Sequence, residues 1–234
     1  KFNVTVTYID GTTIENWQNA TKENTSFYYL ESPNSWDFAL QPIKEVADFA
    51  KSKNIITLID NSYCTPLYQN PISLGIDLAM QTATKYIGGH SDTLGGVLSG
   101  SAAMIRKIFL SDYMCAGNGI QPFNAWLLLR GLRTLPARLE RINRSTEKVF
   151  QFLKGHPVVD DLIYPFDPEF SQYELARRQM AAAPGLLSIY VNMETAEEIE
   201  RFCNGLKTFR MAVSWGGHES LVIPKLATMP RDQF

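Results

Sequence analysis

Apolar and polar residues alternate between Phe2 and Ile9, with Val4, Val6 and Tyr8 on one parity, the period of a half-buried strand. Thr12 to Ala20 predicts a short helix, and the aromatic run Ser26 to Leu30 predicts a compact strand. Ile43, Val46, Ala47 and Ala50 recur at helical spacing, and Lys51 and Lys53 fall in the last turn, where cations suit the negative end of the helix dipole. Ile55 to Ile59 is a nearly continuous apolar run, which predicts a strand buried on both faces. Asp77 to Gln81 and Gly96 to Ser99 read as two further strands. From Phe123 to about Leu153 the pattern is helical, and Pro136 predicts a break or kink, because proline lacks a donor and crowds the preceding turn. Beyond an irregular stretch with two prolines (YPFDPEF) come a strand at Leu186 to Val191, a helix from Ala196 to Leu206 and a strand near Met211 to Ser214.

Strands alternating with helices predict an α/β fold with a mostly parallel sheet and helices on its faces. Ligands of such sheets bind outside the carboxyl ends of the strands, where Asp60, Thr82, Thr84 and Lys85 fall. Pro136 marks the expected domain boundary: residues 1–136 form part of a large domain and residues 137–234 part of a smaller C-terminal α/β domain.

Composition narrows the partners. Twenty-two Lys and Arg against 24 Asp and Glu leave a net charge of −2, with neither the basic footprint of a nucleic-acid binder nor a polybasic membrane patch. No apolar run approaches the length of a membrane span. The partner expected is a small molecule. Cys64, Cys115 and Cys203 lie far apart without a Cys-x-x-Cys pair, which argues against a zinc site or a disulfide framework and fits a reducing, cytoplasmic compartment.

The segment richest in chemistry is QTATKYIGGHSDTLGG, Gln81 to Gly96. It places two threonines ahead of Lys85, then a histidine and four glycines, directly behind a buried strand. Burying an unpaired ammonium is costly, so a lysine at a strand end points to covalent modification or a lowered pKa. The hydroxyls of Thr82 and Thr84 can bind a phosphate if the turn presents them together, and the glycines permit close approach of a planar cofactor. In IITLIDNSY, a carboxylate at the strand tip, Asp60, can pair with a protonated pyridine nitrogen. Taken singly, Lys85 is also compatible with an exposed helix-start lysine, and Asp60 with a turn residue or a magnesium ligand. His90 among glycines reads as a structural hydrogen-bonding residue, and His156 and His218 carry no assigned role. Cys64 reads as a free buried thiol, Trp215 as lining the site or packing the core, and the charges from Arg138 to Arg144 as a solvated helix face.

The segments ESPNSWDF, IDNSYCTP, LGIDLAMQTATKYIGGHSD, RGLRTL and AVSWGGHESL, collinear over nearly the whole chain, resemble the transsulfuration (Cys/Met metabolism) family of pyridoxal-phosphate enzymes. The resemblance implies the aspartate-aminotransferase-like (type I) fold, a three-layer, mostly parallel α/β architecture with a smaller C-terminal domain. It implies pyridoxal 5'-phosphate as cofactor, with Lys85 as the Schiff-base lysine and Asp60 on the pyridine nitrogen. Thr82 and Thr84 would meet the phosphate, Ser62 would lie against the ring, and Ser214 would position the lysine and the substrate carboxylate, with Trp215 beside it. No metal is implied. By the same resemblance, a Gly-rich phosphate loop and a ring-stacking aromatic lie before Lys1, and a carboxylate-clamping arginine lies beyond Phe234.

Ser35, at a place where many members carry asparagine, and the IDN, GID and SWGG segments are closest to the cystathionine β-lyase branch. The implied activity is β-elimination of cystathionine or a cysteine-like sulfur amino acid to pyruvate, ammonia and a thiol, in a homotetramer built as a dimer of dimers. Cystathionine γ-lyase, methionine γ-lyase and cystathionine γ-synthase use the same residues and stand as alternatives. Two other classes remain: a nucleotide- or NAD-binding enzyme, which lacks its G-x-G-x-x-G turn here, and a catalytically inactive binding or oligomerisation homologue.

Overall fold

The computed structural model describes residues 3–228. In chain order the elements are α1 (Ile14–Ala20), β1 (Phe27–Glu31), α2 (Ile43–Ser52), β2 (Ile56–Asp60), α3 (Thr65–Tyr68), β3 (Leu78–Thr82), β4 (Gly96–Gly100), α4 (Ala102–Ile108) and α5 (Met114–Ala116). There follow α6 (Pro122–Leu153), β5 (Val159–Ile163), α7 (Tyr173–Gln179), β6 (Ser188–Val191), α8 (Ala196–Gly205), β7 (Phe209–Met211) and β8 (Ser220–Val222). They fall into two compact units that interleave along the chain. The first takes the residues up to Thr82 with Gly96–Gln121 and Tyr164–Pro184; the second takes Ala83–Gly95, Pro122–Ile163 and the chain from Gly185.

The first unit is built on a four-stranded sheet in the order β1-β2-β3-β4, with β1, β2 and β3 parallel and β4 antiparallel to β3. Its alternating strands and helices make the α/β class with a mainly parallel sheet, as the hydrophobic pattern predicts. The core forms where Tyr28 and Leu30 of β1, Ile59 of β2 and Ala79 of β3 meet Trp17 of α1 and the Ile43, Val46, Ala47, Ala50 stripe of α2. Fully burying a side chain such as Leu30 contributes about 2–3 kcal/mol.

Two strand expectations need correction. In β2, burial alternates: Thr57 and Ile59 are buried, Leu58 is half-buried and Ile56 is exposed, so the apolar run covers one face only. Among the described residues, α1 and α2 pack on that single face. Asn3 to Ile9 is not a strand, and Val4, Val6 and Tyr8 are exposed; Phe2 lies outside the described residues. Alternation makes a strand only where a partner edge takes its backbone groups, and no described sheet includes this segment.

After the two-proline stretch comes α7, a helix that the sequence pattern does not predict, and specific bonds draw it into the first unit. The Gln172 side chain accepts from Leu40 N at 2.7 Å and donates to Leu40 O at 2.8 Å, and Gln179 Oε1 accepts from Ile43 N at 2.9 Å.

In the second unit α6 runs unbroken for 32 residues through Pro136. The predicted break fails because Leu128, Gly131, Leu135, Leu139, Thr146 and Phe150 form one buried stripe on both sides of the proline, and their packing outweighs its local cost. Strands β5 and β6 pair antiparallel, and α8 starts at a capping box in which Thr195 and Glu198 satisfy each other's backbone N–H groups. The last predicted strand, near Met211 to Ser214, lies earlier than expected: β7 pairs in parallel with the three residues of β8, and its ladder ends at Met211, leaving Ser214 in a following loop. No helix of the described residues is long and apolar enough to cross a membrane.

Candidate cofactor site

In the first unit the sheet brings Asp60, Ser62 and Thr82 together. Asp60 ends β2 and is half-buried, in register with Glu31 of β1 and Met80 of β3. Its Oδ1 accepts from Ser62 N at 2.8 Å, and Ser62 Oγ in turn accepts from the backbone N–H of Thr82 at 2.6 Å. The turn between them is locked by Asn61, whose side chain donates to Thr65 O and Gln69 O and accepts from Gln69 Nε2. Tyr29 of β1 feels the same carboxylate: burial first, then the Asp60 and Glu31 charges, raise its hydroxyl above the ordinary value. A carboxylate and two hydroxyls thus stand at the carboxyl ends of neighbouring parallel strands, where α/β sheets bind ligands.

The second unit brings together Lys85, Ser214 and Trp215. Lys85 lies in a tight turn closed by Gly88 N donating to Ala83 O at 2.7 Å and Gly89 N donating to Lys85 O at 2.8 Å. Its Nζ donates to Ser214 Oγ at 3.1 Å and stands 4.2 Å from the centre of the Trp215 ring. Burial pulls the amine below its ordinary value, so a larger share of it is the neutral form that acts as nucleophile or base. Trp215 Nε1 is buried and has no hydrogen-bond partner among the described residues. Thr84 lies in the same loop, but its hydroxyl is engaged, accepting from Gly95 N at 3.1 Å and donating to Gly95 O at 3.3 Å. His90 closes the loop, its Nδ1 donating to Gly88 O at 2.7 Å, which agrees with its reading as structural.

Arg138 is the residue that the pattern of charges misplaced. It is not on a solvated face: its guanidinium donates to Tyr86 O at 2.6 Å, Ile87 O at 3.2 Å and Gly131 O at 2.8 Å, fixing the carbonyls of Tyr86 and Ile87 in the lysine loop. Its neighbours Glu140 and Arg144 do form an exposed pair. A second tie comes from Tyr86, fully buried, whose hydroxyl accepts from Gly185 N at 2.8 Å. The available sequence signal was Gly131, since glycine inside a helix costs about 1 kcal/mol and needs a reason. The reason is contact: a Cβ at Gly131 would stand 2.4 Å from both Ile87 O and Gly88 O.

The chemistry of each group suits a part of pyridoxal phosphate. An amine lowered by burial suits the aldehyde, a strand-tip carboxylate suits the protonated ring nitrogen, hydroxyls suit the phosphate, and the partnerless indole N–H of Trp215 is a donor in want of an acceptor. Cys64 is buried and free, with its thiol raised well above the ordinary value by burial, and Cys115 and Cys203 are free as well. The described residues hold no cluster of His, Cys, Asp and Glu able to bind a metal. A cleft of about 410 Å³ in the first unit, lined by residues 66–70, 73–74 and 178–181, includes none of the candidate residues.

Comparison with known proteins identifies the family. The model of a family described as Cys/Met metabolism PLP-dependent enzyme matches residues 1–231. A cystathionine gamma-lyase of Bacillus subtilis is 32% identical over 237 residues, covering 100% of this chain and 62% of the relative. A cystathionine beta-lyase of Lactococcus lactis is 34% identical over 223 residues, covering 94% and 58%. The crystal structure of a cystathionine gamma-lyase from Lactobacillus plantarum complexed with L-serine superposes with a TM-score of 0.90 at 29% identity, covering 97% of this chain and 60% of that one. The chain thus spans about three-fifths of the length of the relatives it matches.

Proposed function

We propose, for a chain that belongs to the pyridoxal-phosphate-dependent enzymes of Cys/Met metabolism, that the whole protein is a carbon–sulfur lyase. Its reaction is β-elimination of cystathionine or a cysteine-like substrate to pyruvate, ammonia and a thiol. The observation that carries the reading is Lys85, its amine lowered by burial and bonded to Ser214 Oγ at 3.1 Å.

Lys85 would hold the cofactor covalently, Asp60 its ring nitrogen, Ser62 its face, and Thr82 and Thr84 its phosphate. Thr84 would do so by exchanging its 3.3 Å bond to Gly95 O for a phosphate oxygen. Bound there, the cofactor supplies an electron sink for charge developing at the substrate Cα. The freed Lys85 amine is the base for the Cα proton, and Ser214 Oγ, by accepting one N–H, turns the nitrogen lone pair in a fixed direction. The Ser214 hydroxyl hydrogen and the Trp215 indole N–H remain as donors for the substrate carboxylate. Asp60 would keep the ring nitrogen protonated, and Ser62 N–H holds that carboxylate in place.

γ-Elimination is the second reading, favoured by the Bacillus subtilis relative. Intact Lys85 and Asp60 speak against an inactive homologue. Free, widely spaced cysteines support a cytoplasmic location. A homotetramer is supported by exposed Phe123, Trp126, Leu129 and Leu132 along α6.

Full-length protein incubated with cystathionine should release pyruvate, and borohydride should fix the cofactor on Lys85. Release of 2-oxobutyrate would assign γ-elimination instead, and no trapping at Lys85 would overturn the enzyme reading.

A further inference from the structure

Ser91 and Glu219 stand outside the roles assigned so far, yet they join the two loops on which those roles depend. Ser91 lies in the lysine loop, six positions after Lys85, and Glu219 five positions after Ser214. The Ser91 hydroxyl donates to Glu219 Oε2 at 2.7 Å. That bond, above all, holds the Glu219 carboxyl below its ordinary value, with His218 and Arg210 adding smaller effects of the same sign. Ser91 reaches this position at φ +58°, a left-handed conformation that is uncommon for any residue but glycine. An observed outlier of this kind points toward a role rather than a relaxed loop.

The loops also touch through their backbones. Gly216, at φ +82°, comes so close that a Cβ there would stand 2.7 Å from Tyr86 N and 2.9 Å from the Lys85 carbonyl carbon. At Gly217 a Cβ would lie 2.1 Å from Ser91 Oγ. Two glycines therefore let the 212–219 loop lie flat on the lysine loop, but glycines alone leave it free to lift off. The Ser91–Glu219 bond is the side-chain tie at its far end, and Ser214 and Trp215 sit at its near end against Lys85.

We propose that Glu219, acting through Ser91, is a positioning residue that clamps the Ser214–Trp215 loop onto the lysine loop and so fixes the surroundings of the Lys85 amine. The inference rests on the reading of Lys85 as the cofactor lysine.

The test uses full-length protein and two readouts besides turnover. One is the pH titration of the cofactor absorbance in the holoenzyme. The other is the rate at which Lys85 is reductively methylated after the cofactor is stripped, followed by peptide mass spectrometry. Glu219→Ala and Ser91→Ala should each speed Lys85 methylation about fivefold, the scale of one lost exposed hydrogen bond, and shift the absorbance titration. The double variant should do no more than either single one, and Glu219→Gln, which keeps an acceptor for Ser91, should stay near wild type. Ser91→Gly separates positioning from mere folding: it relieves the positive φ, so the melting temperature should hold or rise while Lys85 methylation still speeds up. Unchanged methylation and titration in the alanine variants, or additive effects in the double variant, would overturn the clamp. If wild-type holoenzyme instead fails to trap cofactor on Lys85, the underlying reading fails.

Discussion

At the strand tips of the first unit, Asp60, Ser62 and Thr82 are placed by the sheet itself. In the second unit, Lys85 is placed by side chains from far along the chain. The strand tips inherit their order from a parallel ladder whose register pairs Asp60 with Glu31 and Met80, and a slip of one residue would turn every side chain to the other face. The bonds that finish this corner, Ser62 N to Asp60 and Thr82 N to Ser62, span 2 and 20 residues. The lysine loop has no ladder. Its anchors are Arg138, 52 residues from Tyr86, Gly185, 99 residues from Tyr86, and Ser214, 129 residues from Lys85. One region is fixed by repeating backbone bonds, the other by a few side chains, each of which can be removed singly. Single substitutions should therefore separate chemistry from architecture more cleanly in the second unit.

The largest expected effect is chemical. Lys85→Ala should lower turnover of the full-length enzyme by about 1000-fold or more, because it removes both the covalent anchor and the base. The measurement is keto-acid release, with circular dichroism confirming the fold; retention of a tenth of the activity would remove Lys85 from the chemistry. Asp60→Asn should cost roughly 100-fold, the scale of a preorganised charge removed from a reacting centre. The asparagine oxygen can still accept from Ser62 N, so the corner should stay folded and the loss should fall on kcat. A variant that instead unfolds would show that the Asp60 charge serves the sheet rather than the cofactor.

The same contrast explains what the sequence made legible. The α2 stripe, the strand tips and the ATKY-x-GGHSD loop are local patterns, and the structure keeps them within a residue or two. Lys85, Ser214 and Trp215 could be brought together in advance only by resemblance to a family, because nothing in composition or period says that positions 129 apart will touch. Arg138 was misread because its neighbours Glu140 and Arg144 do behave as a solvated face, and periodicity cannot tell which charged residue on a helix turns inward. The Asn3–Ile9 alternation misled for the opposite reason: the period was present, but the described sheets give it no partner.

Arg138 gives the next effect in size. Arg138→Met keeps the stem but leaves the carbonyls of Tyr86, Ile87 and Gly131 without this donor. The expected loss is about 2 kcal/mol in denaturant unfolding, since an acceptor left unmade costs its desolvation and two are involved, whereas Gly131 O keeps its bond from Thr134 Oγ1 at 3.1 Å. Lys85 should also become easier to methylate, because the turn after it loses its external tie. No change in either quantity would mean that the glycine contacts at Gly131 and Gly88 hold the loop alone.

The smallest effect concerns Pro136, and it asks whether α6 is merely tolerant of its proline or shaped by it. Proline leaves the Leu132 carbonyl without its helical donor, but Leu132 and Pro136 both lie on the exposed face, where water can take that bond. The usual interior penalty of about 3 kcal/mol is therefore reduced, and part of it is offset because proline also restricts the unfolded chain by about 0.4–1 kcal/mol. Pro136→Ala should accordingly stabilise the protein by only about 1 kcal/mol, read as a small rise in denaturant midpoint, and leave Lys85 methylation unchanged. A destabilised variant with faster methylation would carry a different meaning. The proline, two residues before Arg138, would then be setting the local curvature that aims the guanidinium at Tyr86 and Ile87, and the lysine loop would depend on backbone geometry after all.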